Sequence, residues 1–307
     1  MKYIHYYISL LLLCCMMTVR ADIVNDEVFH FVTKEDGLSG ESVSRIMSDH
    51  LGRIWLGTSD GVSLYNGKRI VTFRMSGDGS IPNYVYDICE GTDYSIYAAT
   101  GKGVFEKRKG DGEFRRIMKD IAKGEAVLES KGIVYVGNRE GLHVFDGKST
   151  RVITVGASRM GVENGVRDIK ADAQGNIWFL SNYALNCYFP KTGKYRSYVI
   201  ADKMPKGAAL NRLVIYHDKF YIGTKNNGLF VYSPKKLHSP YQIPKVGNVV
   251  TCLQLTAQGE VAVATDGSGA YLLDAKTARI KEIYHTKGDR KHQLPSDAVY
   301  CFTKDRH

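Results

Sequence analysis

The sequence lacks the residue clusters on which most catalytic and metal sites are built. Its nine histidines are scattered without an HExxH or HxH pairing, no G-x-S-x-G turn is present, and the acidic residues lack the D-x-D-x-D spacing of calcium loops. The segment from Gly141 to Ser149 resembles a phosphate-binding loop but is one residue too long, and a helix does not follow it. The sequence therefore predicts no enzymatic activity, no cofactor and no metal site.

Cysteine pairs, long helical patterns and runs of like charge are also scarce. Of the six cysteines, four follow residue 21, none forms a CxxC pair, and all four fall in predicted strands: Cys89, Cys187, Cys252 and Cys301. We expect them to fill the core and not to form disulfides or bind metal. The net charge is +10, but no block of like charge exceeds the cluster from Lys107 to Lys109, which argues against nucleic-acid binding.

The N-terminus has the pattern of an export signal. Lys2 precedes an apolar run from Ile8 to Met17, and small residues stand at the −3 and −1 positions of a cleavage site that ends at Ala21. The run is short for a membrane span. We predict a signal peptide over residues 1–21 and an exported, all-β domain over residues 22–307.

A hairpin pattern recurs about every 40 residues along this domain. Its clearest copy has a strand from Ile54 to Thr58, a tight turn at Ser59-Asp60-Gly61, and a second short strand that ends at Tyr65. The steps between equivalent residues are 42, 38, 43, 43 and 41 for Gly57, Ala99, Gly137, Leu180, Gly223 and Ala264. A fixed period of this length with several short strands per unit predicts a β-propeller.

Each repeat is predicted to form a blade of four strands, named a to d in chain order. In the first blade these are Val43 to Ser48, Ile54 to Thr58, Val62 to Tyr65 and Ile70 to Arg74. In the third blade the a strand is least distinct, and Glu125 to Glu129 is its candidate.

The repeat count predicts six complete blades plus an incomplete seventh. Leu294 to Val299 resembles Leu38 to Val43, which precedes the first a strand. We therefore expect Ala298 to Thr303 and Val28 to Val32 to belong to one unfinished blade. On this interpretation the chain is the front portion of a longer protein.

The residues from Gly37 to Gly67 read GLSxxSVxxIxxDxxGxIWLGTxDGVxxYNG and closely resemble the two-component regulator propeller repeat. The resemblance extends over nearly all of residues 22–307. It implies the periplasmic sensor portion of a hybrid sensor histidine kinase, which detects glycan-derived oligosaccharides and controls the genes for polysaccharide use. The implied partners are a further propeller and a β-sandwich of the same parent chain, with a homodimer left open. The alternative is a stand-alone exported propeller, acting as a binding scaffold or as a lyase-like enzyme.

One face of the predicted propeller collects polar and aromatic turn residues. Because the strands alternate in direction, the b–c turns and the d–a connections share this face. Its candidate ligand-binding residues are Lys102, Arg139, Asn182, Tyr183, Lys225 and Asn226. Sugar recognition needs hydrogen-bonding side chains beside an aromatic face, and the cationic members of the set suggest an acidic oligosaccharide. Two alternatives stay open, namely that these are ordinary turn residues or that the pocket lies in a second propeller.

Overall fold

The computed structural model describes residues 31–75, 83–118, 120–155, 165–236 and 238–303, and its strands belong to the compact unit Val32–His307. Within the described residues, 24 strands form six antiparallel sheets of four, and each sheet keeps its strands in chain order. We number these sheets as blades 1 to 6. The six four-stranded blades predicted from the repeat are thereby confirmed.

Blades 1 to 3 follow the repeat phase closely. Blade 1 contains β1 Val43–Ser48, β2 Ile54–Thr58, β3 Gly61–Tyr65 and β4 Ile70–Phe73. Blade 2 contains β5 Val85–Glu90, β6 Ile96–Thr100, β7 Gly103–Lys107 and β8 Arg115–Met118. Blade 3 contains β9 Ala126–Ser130, β10 Ile133–Gly137, β11 Leu142–Phe145 and β12 Thr150–Ile153. Its a strand begins one residue later than predicted.

Blades 4 to 6 repeat the same order. Blade 4 contains β13 Val166–Ala171, β14 Ile177–Ser181, β15 Ala184–Phe189 and β16 Lys194–Val199. Blade 5 contains β17 Leu210–Tyr216, β18 Lys219–Thr224, β19 Leu229–Tyr232 and β20 Tyr241–Gln242. Blade 6 contains β21 Val250–Leu255, β22 Glu260–Thr265, β23 Ala270–Asp274 and β24 Ile280–Tyr284. The described residues include one 3₁₀ turn, Ala201–Lys203, and no helix long and apolar enough to cross a membrane.

The a strands surround a central channel. They contact one another in the order β1, β5, β9, β13, β17 and β21, which is the arrangement of a β-propeller. In every blade except blade 3, the pairing of strands a and b shifts register at the second residue of strand a. Such a bulge re-aims the side chain of the extra residue, here toward the channel.

The bulge residues also join neighbouring blades. Asn211 donates from Nδ2 to the Val250 carbonyl at 2.7 Å, and the Ser44 hydroxyl donates to the Val85 carbonyl. In both cases the acceptor belongs to the first residue of the next a strand. Thr251 makes the same bond to the Val299 carbonyl at 2.5 Å.

The incomplete seventh blade is not confirmed. Residues 298–303 form no strand, and of the predicted partner strand from Val28 to Val32 the first three residues lie outside the described residues. The backbone of residues 298–303 takes the place of a next a strand, because Val299 N donates to the Thr265 carbonyl at 2.9 Å and Ser48 N to Thr303 Oγ1 at 3.2 Å. Cys301 lies in this segment, so its predicted strand position was wrong, whereas Cys89, Cys187 and Cys252 lie in strands.

Blade packing explains why small residues recur in strand b. A Cβ atom on Gly137 would lie 2.6 Å from Val166 Cγ1, and one on Gly57 would lie 2.8 Å from Val85 Cγ1. Both valines are the first residues of the next a strand, and both are fully buried. The glycines therefore mark close approach between blades and not turns.

An aspartate carboxylate, fully buried in blade 1 and half-buried in blade 4, fixes the a–b turn of these two blades. Asp49 Oδ1 accepts from the backbone N–H groups of Leu51 at 3.0 Å and Arg53 at 2.9 Å. Its Oδ2 accepts from Arg53 Nε at 2.7 Å and from Trp55 Nε1 at 2.8 Å. In blade 4, Asp172 binds Trp178 Nε1 at 2.8 Å in the same way. The aspartate and tryptophan of the repeat are thus one structural unit.

We expect the Gly137→Ala substitution to destabilise the protein by about 1–3 kcal/mol, because it overpacks the contact with Val166. A Val166→Ala change should remove most of that additional cost, so the two substitutions should be strongly non-additive in urea unfolding. Gly112→Ala is the matched control, since a Cβ there meets no atom within 4 Å. Simple additivity of the two changes would contradict the packing argument.

Asp49→Asn should lower the free energy of unfolding at neutral pH by about 2–3 kcal/mol, because an amide cannot accept all four hydrogen bonds. Burial raises the pKa of Asp49, but the Trp55 and Arg53 hydrogen bonds outweigh it and hold that pKa below its usual value. The carboxylate therefore stabilises the fold above the unfolded-state pKa, and this contribution is lost as the pH falls through the folded-state pKa. The difference between wild type and variant should shrink in the same acid range. The exposed Glu41→Gln should show no such difference.

Candidate ligand-binding site

A cavity of about 800 Å³ opens at the mouth of the central channel, on the face of the b–c turns. Its wall consists of residues at or near the start of the a strands, together with residues of the b–c turns. The volume lies within the range of pockets that hold small ligands.

The cavity wall contains one structurally equivalent residue from each blade. Each of these residues precedes the a-strand residue that pairs with the equivalent b-strand position, such as Gly57 or Ala99. The set is Ser44, Tyr86, Glu125, Arg167, Asn211 and Thr251, and Tyr300 of the docked C-terminal segment completes it. In blades 1, 2, 4, 5 and 6 the bulge directs this side chain toward the channel, whereas in blade 3 Glu125 lies directly before β9, which pairs without a bulge.

The b–c turns supply a second layer of the wall. Arg139 and Lys225 line the cavity, and Asn182 joins them indirectly because its Oδ1 accepts from Arg167 Nε at 3.1 Å. These three residues occupy the same position of the turn in blades 3, 5 and 4. Of the residues predicted from the sequence, these are the ones that the structure brings together.

The remaining predicted residues stand one position later in their turns and do not line the cavity. Lys102 is 8% exposed, and Tyr183 is half-buried. Asn226 uses its side chain within the turn, accepting from Ala209 N at 3.0 Å and donating to the Gly207 carbonyl at 2.7 Å. A one-residue difference in the turn thus separates side chains that face the channel from those that do not.

Cationic side chains dominate the cavity. The lining residues include a single carboxylate, that of Glu125. They include six cationic residues: Arg45, Lys123, Arg139, Arg167, Arg212 and Lys225. Glu125 is shared between Lys123 at 2.9 Å and Arg167 Nη1 at 2.8 Å. Deeper in the channel Asp87 pairs with Arg45 at 3.2 Å. Arg139 and Lys225 make no ion pair with any described residue.

The excess of positive charge shifts the pKa values of two cationic side chains in the wall. Burial, with the charges of Arg167 and Arg212, lowers the pKa of the Lys225 ammonium. Burial, with the charge of Arg45, lowers the pKa of Arg212 to about 10. Both shifts have the sign expected of cations that lack sufficient counter-charge.

Aromatic rings form part of the same wall. The ring centroids of Tyr84 and Tyr86 are 4.7 Å apart, and Lys123 Nζ lies 4.3 Å from the Tyr86 centroid. Tyr300 is 57% exposed and lines the opposite end of the residue series. Tyrosine combines an apolar face with a hydroxyl, which suits the ring C–H groups and hydroxyls of sugars.

The family comparison agrees with the repeat. The model of the two component regulator propeller family matches residues 37–60. The chain carries a two component regulator propeller repeat. No curated protein matches the chain in sequence.

Solved structures share the propeller fold. The extracellular domain of BT4673 from B. thetaiotaomicron, described in one structure as a one component and in another as a hybrid two component system, superposes with a TM-score of 0.69 at 19% identity. The match covers 88% of this chain and 36% of that domain, so this chain spans about a third of its length. A streptogramin B lyase superposes with a TM-score of 0.67 at 13% identity, covering 83% of this chain and 87% of the lyase.

Sequence reasoning missed most of the inward-facing set in the propeller. Tyr86, Glu125, Arg167 and Tyr300 are not among the ligand-binding residues predicted from the sequence. The available signal was their similar phase: Tyr86 and Arg167 stand 13 residues before Ala99 and Leu180, and Glu125 stands 12 residues before Gly137. The bulge that aims this position inward cannot be recognised from apolar periodicity alone.

We expect Lys225→Gln to raise the melting temperature of the unliganded propeller, because it removes a charge that burial, Arg167 and Arg212 all disfavour. Added NaCl should stabilise the wild type more than the variant by screening the repulsion. Lys148→Gln, at an exposed c–d turn, is the matched control and should leave the melting temperature unchanged. A lower melting temperature for Lys225→Gln would show that the lysine has a stabilising partner.

Proposed function

We propose that this chain is the extracytoplasmic ligand-sensing propeller of a hybrid two-component sensor kinase, and that it detects glycan-derived oligosaccharides to control polysaccharide-utilisation genes. The observation that carries the proposal is a cavity that combines hydrogen-bonding side chains with tyrosine rings in a chain bearing the regulator repeat. Such a combination suits the alternating polar and apolar surfaces of a sugar. The likeness to BT4673 supports the fold on which the proposal depends.

The proposal extends to the location and partners of the chain. The predicted signal peptide would place residues 22–307 in the periplasm. A further propeller and a β-sandwich of the parent chain would relay ligand binding to a kinase, and a homodimer is the simplest assembly for that relay.

The chemistry of the cavity favours binding over the alternative of a lyase-like enzyme. Proton abstraction needs a base whose pKa lies near the working pH. The described lining residues include no histidine, and both oxygens of their single carboxylate, Glu125, are held by Lys123 and Arg167. The shared fold of the streptogramin B lyase is therefore not accompanied by a histidine or an unpaired carboxylate among the described lining residues.

A gene deletion tests the sensor function. We expect removal of the coding segment for residues 22–307 to abolish transcriptional induction of one polysaccharide-utilisation gene set, with a growth defect confined to the matching glycan. Complementation with the intact gene should restore both. Normal induction by every glycan tested on the deletion strain would contradict the proposal.

A product assay separates the sensor from the enzyme. The purified chain should leave the mass of each oligosaccharide tested unchanged after prolonged incubation, as measured by mass spectrometry. Cleavage, or formation of an unsaturated product, would instead favour the lyase-like alternative.

A further inference from the structure

The channel mouth contains cationic groups that the fold does not need. Arg45 is paired with Asp87, and Lys123 and Arg167 share Glu125. Arg139 and the partly buried Lys225 both remain accessible to solvent, and the side chain of neither makes a hydrogen bond or ion pair with a described residue. Cations without a structural partner, placed in a concave site, are available to a ligand.

These two free cations flank a third that is already held in position. Arg139 and Lys225 come from equivalent turn positions in blades 3 and 5, and Arg167 belongs to blade 4 between them. Arg167 is fixed by Asn182 at Nε and by Glu125 at Nη1, which leaves its Nη2 for a further acceptor. A guanidinium held in this way loses little rotamer freedom when it binds an anion.

The rest of the wall suits an uncharged sugar body. Tyr84 and Tyr86 from blade 2 and Tyr300 from the docked segment line the same cavity of about 800 Å³. Asn211 and Thr251 are committed to the inter-blade bonds described above. The cavity thus has its unpaired cations, Arg139 and Lys225, on blades 3 and 5, and its tyrosines on blade 2 and the docked segment.

We propose that the channel mouth binds an acidic oligosaccharide and that Arg139, Arg167 and Lys225 together hold its carboxylate or sulfate group. The inference rests on the proposed sensor function and names the ligand class of that site. Charge-assisted hydrogen bonds from three cations would supply selectivity against neutral sugars. A bound anion would also relieve the repulsion among the cationic side chains.

Calorimetric titration of the purified chain tests this assignment. The probes are trigalacturonate as the carboxylate arm, a sulfated disaccharide from chondroitin sulfate as the sulfate arm, and cellotriose as the neutral arm. We expect one acidic probe to bind at least about 10-fold more tightly than cellotriose, with an affinity that falls as NaCl is raised.

The matched variants carry the same change in charge. In Arg139→Gln/Lys225→Gln the Kd of the acidic probe should increase at least about 100-fold, since each lost charge-assisted bond weakens binding about 10-fold. Lys68→Gln/Lys148→Gln alters two exposed c–d turns outside the cavity and should leave the Kd unchanged. All four substituted residues lie in turns and remain accessible to solvent. Both variants should therefore retain the wild-type circular dichroism spectrum.

Three results would overturn the site assignment. They are equal affinity for neutral and acidic probes, an unchanged Kd in Arg139→Gln/Lys225→Gln, and no binding of either acidic probe. Each leaves the gene-deletion experiment free to support the sensor function, so the two proposals can fail separately. Binding of one acidic arm and not the other identifies the anionic group.

Discussion

The structure depends on the packing of each a strand against the preceding blade. The first residue of the strand packs its side chain against a small b-strand residue, as Val166 does against Gly137, and offers its carbonyl to a side chain of the preceding blade, as Val250 does to Asn211. The contact is apolar on one side and hydrogen-bonded on the other. It sets both the spacing and the rotation between blades, because neither a wider residue nor an unpaired buried carbonyl is tolerated without cost.

This contact between neighbouring blades explains which features of the fold could be predicted from the sequence. The period of about 40 residues, the small b-strand residue and the Asp–Trp unit all express local or nearest-neighbour contacts, so they leave a readable pattern. The bounds of β1 and β2 follow directly from it. The seventh blade was predicted by extending the same pattern, but residues 298–303 have no partner strand among the described residues and form no strand. A sequence match fixes where such a segment docks and not whether it pairs.

The site was predicted only in part for a related reason. Hydrophobic alternation shows which residues avoid water, but a bulge changes side-chain direction without changing composition. Arg139 and Lys225 were identified because turn residues are exposed in any register. Tyr86 and Arg167 were not, since their direction depends on a register shift that occurs within the sheet. Lys102 and Tyr183 lie outside the cavity wall for the opposite reason, because two adjacent turn positions look alike in the sequence and differ in space.

The inward-facing series of residues divides the propeller into two halves with different freedom to change. Ser44 and Asn211, on blades 1 and 5, donate to a carbonyl of the next blade, and Thr251 on blade 6 donates to the Val299 carbonyl of the docked C-terminal segment. Tyr86, Glu125 and Arg167, on blades 2 to 4, make no such bond. Substitution in the second group can alter the shape and charge of the channel mouth without removing any of these bonds to a backbone carbonyl. A single scaffold of this kind could diversify its chemical preference by point mutation on one side, with the other side conserving the architecture.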